Sequence, residues 1–384
     1  MFYGEVINLR KRRTKYVRIT VLALVLILAI FGFDFLIRST MRKNSDGGNG
    51  GLVITSNREG QDPDVPVDIA VPEVTEPSAD DSSYEKSEIN ENEYRKIFKS
   101  GADLGLGELV LINSENSYKF PDISALLVNM AANMQDKTYK LSYNTHQVQK
   151  AVMEPFNNML NDFYRIYSTR DVTVVSSLVS YAEQNEMYKA PADSSLIMND
   201  TQLSPGYSEH HSGYAVDFKL VSDAGKISEF DGTGNFKWLV DNCYKYGFII
   251  RYPEGKEEVT GVKACPSHFR YVGVPHSYIM HDNGITLEEY MTELQKYIFG
   301  YDHLEYSVFG YDYEVYFVPA EESGETTVPV PANESYTVSG NNKDGFIVTV
   351  CRASASGSDS SSEDIPAETT AAVTSAVASV SGEG

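Results

Sequence analysis

Only the middle of this 384-residue chain has the composition of a folded domain. Residues 38–98 are rich in Ser, Gly, Asp, Glu and Pro, and residues 352–384 form a second low-complexity segment. Segments of this kind bury too little apolar surface to offset the entropy that is lost on folding. We therefore predict a flexible stalk over 38–98, a disordered tail over 352–384, and a folded region confined to residues 99–351.

An apolar run near the N-terminus is long enough to cross a membrane. Residues 19–33 (ITVLALVLILAIFGF) carry no charge, and residues 35–37 extend the run beyond Asp34. A cleaved signal peptide is the alternative, but no small-residue cleavage site follows the run. Because the basic residues Arg10, Lys11, Arg12, Arg13, Lys15 and Arg18 precede it, the positive-inside rule places residues 1–18 in the cytoplasm. We predict a signal anchor over 19–37, which holds the protein in the cell membrane with its C-terminal domain outside the cytoplasm.

Charge and cysteine content exclude two classes of protein. The formal net charge is −22, whereas a nucleic-acid-binding surface has to be basic, so we expect no nucleic-acid partner. The three cysteines are too few for a disulfide scaffold. Since their number is odd, at least one thiol lacks a partner within the chain.

The first part of the folded region mixes helix and strand signals without a regular alternation. Apolar residues at helical spacing over 148–163 predict a helix, which Pro155 is expected to kink or split. Thr286 and Glu289 resemble a capping box that begins a later helix. Strands are predicted over 172–176, 214–220 and 248–251. The pattern favours the α+β class for a domain over 99–298.

The last part of the folded region has a different pattern. Residues 304–317 are rich in Tyr, Val and Phe, and residues 336–350 hold two strand signals around a Gly-Asn-Asn-Lys-Asp-Gly turn. We predict a small β appendage over 299–351 that packs on or beside the main domain.

Two short segments carry candidate metal ligands. His210 and Asp217 lie in Ser208–Asp217 (SEHHSGYAVD), and His268 lies in Cys265–Gly273 (CPSHFRYVG). A hydrolytic zinc site needs about three nitrogen or oxygen ligands, an open position for water, and a nearby base. Two imidazoles and one carboxylate match the ligand requirement, although a His near an Asp is by itself a weak signal.

The segments around these residues resemble a known family. The matching segments are Leu109–Asn113 (LVLIN), Ser208–Asp217, Gly247–Pro253 (GFIIRYP), Tyr252–Gly261 (YPEGKEEVTG), His268–Gly273 (HFRYVG) and Thr286–Tyr290 (TLEEY). Together they resemble the zinc D-alanyl-D-alanine carboxypeptidases of the vancomycin-resistance type, which trim peptidoglycan stem peptides. The resemblance implies that family's fold, zinc held by His210, Asp217 and His268, and peptidoglycan stem peptides as partners.

Two positions depart from the family pattern. Where the family has Glu-Pro-Trp-His, with the Glu as general base, this chain has Cys265-Pro-Ser-His268, and losing a general base costs about 10²–10⁴-fold in rate. Where the family has Ser-Gly-Tyr-Arg-Ser-Tyr, residues 176–181 place Val179 at the Arg position, so a charge-assisted contact is lost. We expect a zinc-binding protein with weak or no hydrolytic activity. The alternative is an active D,D- or L,D-carboxypeptidase with a rearranged base.

The role of Cys265 is open to three interpretations. It is a small buried residue left after activity was lost, a fourth ligand that closes the metal site, or a nucleophile that takes the place of the catalytic Glu in altered chemistry.

Ser208 and Gln184 match positions at which the family contacts substrate. Their alternative is an ordinary supporting role near the site.

Overall fold

The structure, a computed structural model, describes residues 93–190 and 203–354. In these ranges strands β1 to β14 are Tyr94–Ser100, Leu127–Asn129, Lys140–Leu141, Gln147–Gln149, Val172–Ser176, Ala215–Val221, Ile227–Glu229, Phe248–Tyr252, Cys265–Tyr271, Leu304–Val308, Tyr311–Pro319, Glu325–Pro331, Ser335–Gly340 and Gly345–Ala353. Helices α1 to α7 are Met130–Asn133, Lys150–Tyr167, Tyr181–Lys189, Lys237–Asn242, Glu257–Thr260, His276–Asn283 and Leu287–Leu294. This mixture of helices and strands confirms the α+β class.

A mixed sheet positions the predicted metal ligands. Its strand order is β3-β5-β6-β9-β8, with β7 paired to β6 at one end, and β3 runs parallel to β5 while the other pairs are antiparallel. In the β6–β9 ladder Asp217 lies directly opposite His268. Side chains at opposed positions leave the same face of a sheet with Cβ atoms about 5 Å apart. The register therefore brings together two residues that are distant in sequence.

Helix α2 packs on the main sheet and forms much of the core. Its buried stripe includes Val152, Phe156, Met159 and Phe163, which pack with Phe218 and Phe248 of the sheet. The helix begins two residues later than predicted and continues to Tyr167, where Ser168 ends it in the left-handed conformation. Pro155 lies inside this span, so of the two expectations, a kink or a split, the split was wrong. The packing of the apolar stripe on the sheet compensates for the one backbone hydrogen bond that proline removes.

The C-terminal strands form a second sheet in the order β10-β11-β14-β13. The predicted hairpin is confirmed, since β13 and β14 pair antiparallel on either side of the turn. The strands share a buried cluster with the main domain, in which Val315 and Ile347 pack with Ile249, Leu287 and Tyr290. The sheet therefore packs on the domain.

Strand β1 lies in a segment whose composition predicted a stalk. It pairs antiparallel with β12, from Tyr94 opposite Pro331 to Ser100 opposite Glu325. Tyr94 and Ile97 pack against the buried side chains of the C-terminal strands. Residues 94–98 are thus part of the folded unit, and β14 extends the C-terminal strands to Ala353.

Several predicted segments lie outside the described residues. They are the cytoplasmic segment 1–18, the anchor 19–37, the stalk up to residue 92, and the tail from residue 355. None of the helices in the described ranges combines the length and apolar character that a membrane span requires. The three cysteines are free thiols.

Candidate metal site

The local fold explains how the three predicted ligands come together. His210 lies in a short 3-10 helix, Glu209–Ser212, whose N-cap residue Ser208 accepts a hydrogen bond from the His210 backbone N–H. Gly213 ends this helix with φ +75°, and a Cβ there would lie 3.3 Å from Gln149 N and Leu127 Cδ2. Glycine adopts this left-handed conformation without strain and leaves room for the close approach. The chain then enters β6, which carries Asp217 toward His210.

The carboxylate of Asp217 lies between the two imidazoles. Its Oδ2 is 3.1 Å from His210 Nε2, and its Oδ1 is 2.8 Å from His268 Nδ1. One donor atom from each residue lies within 4.8 Å of the others, and all three side chains are buried. The structure therefore brings together the three residues that their types and the family resemblance predicted as ligands.

The donor set fits a metal such as zinc. Zinc–ligand bonds of about 2.0–2.2 Å in a tetrahedron place neighbouring donors about 3.4 Å apart, somewhat farther than the 3.1 and 2.8 Å that separate the Asp217 oxygens from the two imidazoles. Among the described residues, no group donates a hydrogen bond of acceptable angle to Asp217 Oδ1, although His268 Nδ1 lies only 2.8 Å away. Burial alone would raise the pKa of Asp217, but the two imidazoles outweigh it and hold that pKa well below its usual range. The group is therefore a carboxylate, the form that binds a metal.

A second buried carboxylate, Glu209, lies next to the candidate ligand His268. Glu209 accepts hydrogen bonds from Arg251 Nε at 2.8 Å and from Arg270 Nη1 at 2.7 Å, and its other oxygen, Oε2, lies 3.5 Å from His268 Nε2. All four side chains are almost fully buried. Burial would raise the pKa of Glu209, but Arg251 and Arg270 reverse this effect and lower it strongly. A carboxylate with a lowered pKa that is held by two guanidinium groups is a poor proton acceptor, so Glu209 is poorly suited to act as a general base.

Cys265 lies at the start of β9, beside the ligands but not among them. Its side chain is 9% exposed, and its Sγ is 3.4 Å from Ser267 Oγ, within hydrogen-bonding distance for sulfur. Among the described residues, one group of His, Cys, Asp and Glu side chains brings its donor atoms close enough to share a metal ion. It consists of His210, Asp217 and His268, and the Cys265 sulfur is not part of it. The arrangement favours the first interpretation of Cys265, a small buried residue beside the candidate ligands, over a fourth ligand.

A cavity opens beside Cys265. Its volume is about 630 Å³, and its lining includes Tyr252, Lys263, Cys265 and Ser267. The ring of Tyr252 lies 5.0 Å from the His268 ring, so the cavity reaches the neighbourhood of the ligands. A space of this size accommodates the end of a short peptide.

The other predicted site residues have structural contacts. Gln184 is buried, and its Nε2 donates to Leu203 O at 2.8 Å. Ser208 is fully buried and caps the 3-10 helix. These contacts favour the supporting role for both residues, and contact with a substrate stays a prediction. Val179 is half-buried and lies against the ligand segment, because its backbone N–H donates to His210 O at 3.2 Å.

The network around Glu209 was not predicted from the sequence. One signal was present: Arg251 and Arg270 interrupt strands that are otherwise largely apolar or aromatic, FIIRY and HFRYV. A charged side chain on a buried strand requires a buried partner. The sequence alone did not identify Glu209 as that partner.

Comparison with known proteins gives a consistent set of relatives. The family model described as VanY, D-alanyl-D-alanine carboxypeptidase, matches residues 145–274, the segment that holds the three candidate ligands. A D-alanyl-D-alanine carboxypeptidase of Enterococcus faecium is 33% identical over 64% of this chain and 75% of its own length. VanXYC of Enterococcus gallinarum, a bifunctional D-Ala-D-Ala dipeptidase and carboxypeptidase, is 34% identical over 32% of this chain and 66% of its own length. Among solved structures, the vancomycin-resistance D,D-dipeptidase VanXYg in complex with a D-Ala-D-Ala phosphinate analogue matches with a TM-score of 0.57 and 29% identity, covering 67% of this chain and 99% of that one.

Proposed function

This chain belongs to the VanY family of D-alanyl-D-alanine carboxypeptidases, and we propose that it is a zinc-binding member with weak or no hydrolytic activity. Its ligands in this proposal are stem peptides of peptidoglycan that end in D-Ala-D-Ala. The support is that three metal-ligand candidates converge, while a thiol occupies the position of the family's general base.

His210, Asp217 and His268 would hold the metal. Neutral imidazole nitrogens and a carboxylate oxygen are donors typical of catalytic zinc, and a three-residue set leaves a fourth position open. When bound, zinc would supply a Lewis acid that polarises the scissile carbonyl and stabilises its developing negative charge. Asp217 already carries the negative charge that metal binding needs, because its pKa lies well below the usual range.

Two substitutions account for the proposed loss of hydrolysis. Cys265 ends in a single sulfur that contacts Ser267, and a thiol is a shorter group with a reference pKa near 8.5. At the position of the family's Arg, Val179 has no side-chain donor for a substrate carboxylate or a developing oxyanion. A peptide could therefore be bound at the metal without an efficient route for proton transfer.

An active carboxypeptidase with a rearranged base is the second candidate. It is favoured by one observation: two carboxylates, from Glu229 and Asp231, line the same cavity as Cys265. Both have other partners, however. Glu229 pairs with Lys219 at 3.0 Å, and Asp231 accepts from Thr233 N and Oγ1, which lowers its pKa. The lowered pKa makes Asp231 a less effective base at neutral pH, and Glu229 is held by its ion pair, so this candidate is the weaker one.

Anchoring in the cell membrane is part of the proposal. Residues 19–37, in which Asp34 is the one charged residue, follow a basic segment, and the rest of the chain is acidic. This charge asymmetry would orient the domain to the outside of the membrane, where its proposed stem-peptide ligand is found.

The release of D-alanine from a pentapeptide ending in D-Ala-D-Ala, measured together with equilibrium binding of that peptide, tests the proposal. Zinc-dependent binding with little or no D-alanine release is the expected result. Rapid release that a chelator abolishes would contradict the proposal and support the active alternative. The absence of both binding and release would contradict both candidates.

A further inference from the structure

Glu209 divides its two oxygens between different partners. Oε1 receives the hydrogen bonds of both guanidinium groups, from Arg251 and from Arg270. Oε2 is buried, receives no hydrogen bond from the described residues, and faces His268 Nε2 at 3.5 Å. If Glu209 only balanced the charge of the arginines, both oxygens would be expected to bind them. Instead, one oxygen is held in place and the other is directed at a predicted metal ligand.

We propose that Glu209 is a positioning residue that sets the orientation and tautomer of His268 for metal binding. This inference rests on the proposed zinc site. A carboxylate that faces Nε2 favours the tautomer with its proton on that nitrogen. The lone pair is then on Nδ1, the nitrogen that lies 2.8 Å from Asp217 Oδ1. Glu209 thereby directs the correct nitrogen of His268 toward the other ligands.

The two arginines fix Glu209 from separate strands. Arg270 on β9 also donates to the backbone oxygens of Glu108 and Val110, at 2.8 and 2.9 Å. Arg251 on β8 also pairs with Glu288 at the start of α7, where Nη1 lies 2.9 Å from Oε2. Since both guanidinium groups have further partners, Glu209 cannot shift without disturbing two strands. Such fixed support is what a metal ligand requires if its geometry is to be kept.

The replacement Glu209→Gln tests whether Glu209 positions His268 or only balances the charge of Arg251 and Arg270. With two arginines at one side, the amide oxygen would turn toward them and the amide N–H₂ toward His268 Nε2. A donor at Nε2 favours the tautomer with the proton on Nδ1, which blocks that nitrogen for a metal. Glu288→Gln is the matched control, because it also removes a carboxylate from Arg251. The side chain of Glu288 bonds to Arg251 and Asn113 and to none of the three candidate ligands.

The test uses the full-length protein with Zn²⁺ and Co²⁺ as probes. Zinc affinity is measured by competition with a chelator, the cobalt site by its visible absorption, and folding of the metal-free protein by thermal unfolding. We expect Glu209→Gln to weaken zinc binding about 10–100-fold and to change the cobalt spectrum. Glu288→Gln is expected to lower thermal stability while leaving both metal readouts as in the wild type.

Different results would overturn the inference and the function on which it rests. A folded Glu209→Gln variant with wild-type zinc affinity and cobalt spectrum would overturn the positioning role and leave the proposed zinc site untouched. The same conclusion would follow if Glu288→Gln changed the zinc affinity and the cobalt spectrum as much as Glu209→Gln does. If Glu209→Gln does not fold, Glu209→Asp keeps the charge but draws the carboxylate back by one methylene. Weaker zinc binding in that variant supports the role, and unchanged binding overturns it. A wild-type protein that binds neither metal would overturn the proposed site and, with it, this inference.

Discussion

The buried histidines show how neighbouring groups decide what the same side chain does. His210 and His268 lie against the Asp217 carboxylate, an arrangement suited to holding a cation. His276 is equally buried but faces two hydroxyl groups, Tyr290 Oη at 2.8 Å and Thr349 Oγ1 at 3.0 Å. With no carboxylate among these partners, burial lowers the pKa of His276 to about 3. His276 is therefore neutral in the folded protein.

The lowered pKa of His276 predicts a loss of stability in acid. Between the ordinary pKa of 6.5 and about 3, the unfolded chain binds a proton at this position that the folded chain does not. The unfolding free energy therefore falls with decreasing pH by up to about 1.4 kcal/mol per pH unit from this group. Chemical denaturation between pH 7 and 4, with metal removed by a chelator, should show a shallower slope for His276→Gln than for the wild type. Equal slopes would contradict the assignment.

The sequence predicted the candidate metal ligands but not the residues that hold these side chains in place. His210, Asp217 and His268 were identifiable because metal chemistry restricts the residue types and because the flanking segments resemble a family. The partners of Glu209 depend on the pairing of β8 with β9, and the second partner of Arg251 depends on where α7 packs. One sequence does not reveal such contacts. The network was therefore visible only as two arginines on buried strands.

At the scale of elements, strand β5 and the start of α7 were better predicted than strand β1. The predicted strand 172–176 agrees with β5, and the capping box of Thr286 and Glu289 begins α7. Both signals are local in sequence. Strand β1 was missed because it contains three basic residues and its partner β12 lies more than 200 residues away. Its stability comes from that distant ladder, which local patterns do not predict.

Strand β1 gives a prediction with an internal control. Ile97 lies opposite Val328 and packs on the C-terminal core, while the neighbouring Phe98 is 63% exposed. We expect Ile97→Ala to lower the unfolding free energy by about 1–2 kcal/mol, less than for a fully buried isoleucine. Phe98→Ala is expected to change it by less than about 0.5 kcal/mol. Denaturant titration measures both, and an equal effect of the two substitutions would show that β1 does not dock as described.

At the scale of the whole molecule, the first strand of the described residues lies within the segment whose composition resembles a stalk. Strand β1 starts at Tyr94 and pairs with the C-terminal strands, so a fragment that begins at residue 100 would lack one strand of the folded unit. A soluble fragment intended to represent the domain therefore has to include residues 94–100. The β appendage is part of the same core as the metal-site domain, because the two share a buried cluster.

The proposed anchor predicts where the domain is found in a cell. The full chain is expected in the membrane fraction, with its folded domain accessible to a protease added outside intact spheroplasts. Deleting residues 19–37 is expected to release the protein from the membrane fraction. A full chain that is recovered in the soluble fraction, or a domain protected from external protease, would contradict the proposed topology.

Restoring the two missing groups tests most directly whether the metal site was retained while hydrolysis was lost at Cys265 and Val179. The double substitution Cys265→Glu with Val179→Arg is predicted to raise the rate of D-alanine release by about 10²–10⁴-fold, in a chelator-sensitive manner. Cys265→Gln with Val179→Arg, which has the size but not the basicity of the restored Glu, should stay near the wild-type rate. A zinc-loaded double variant that releases D-alanine no faster than the wild type would contradict the proposed loss of hydrolysis at these two positions.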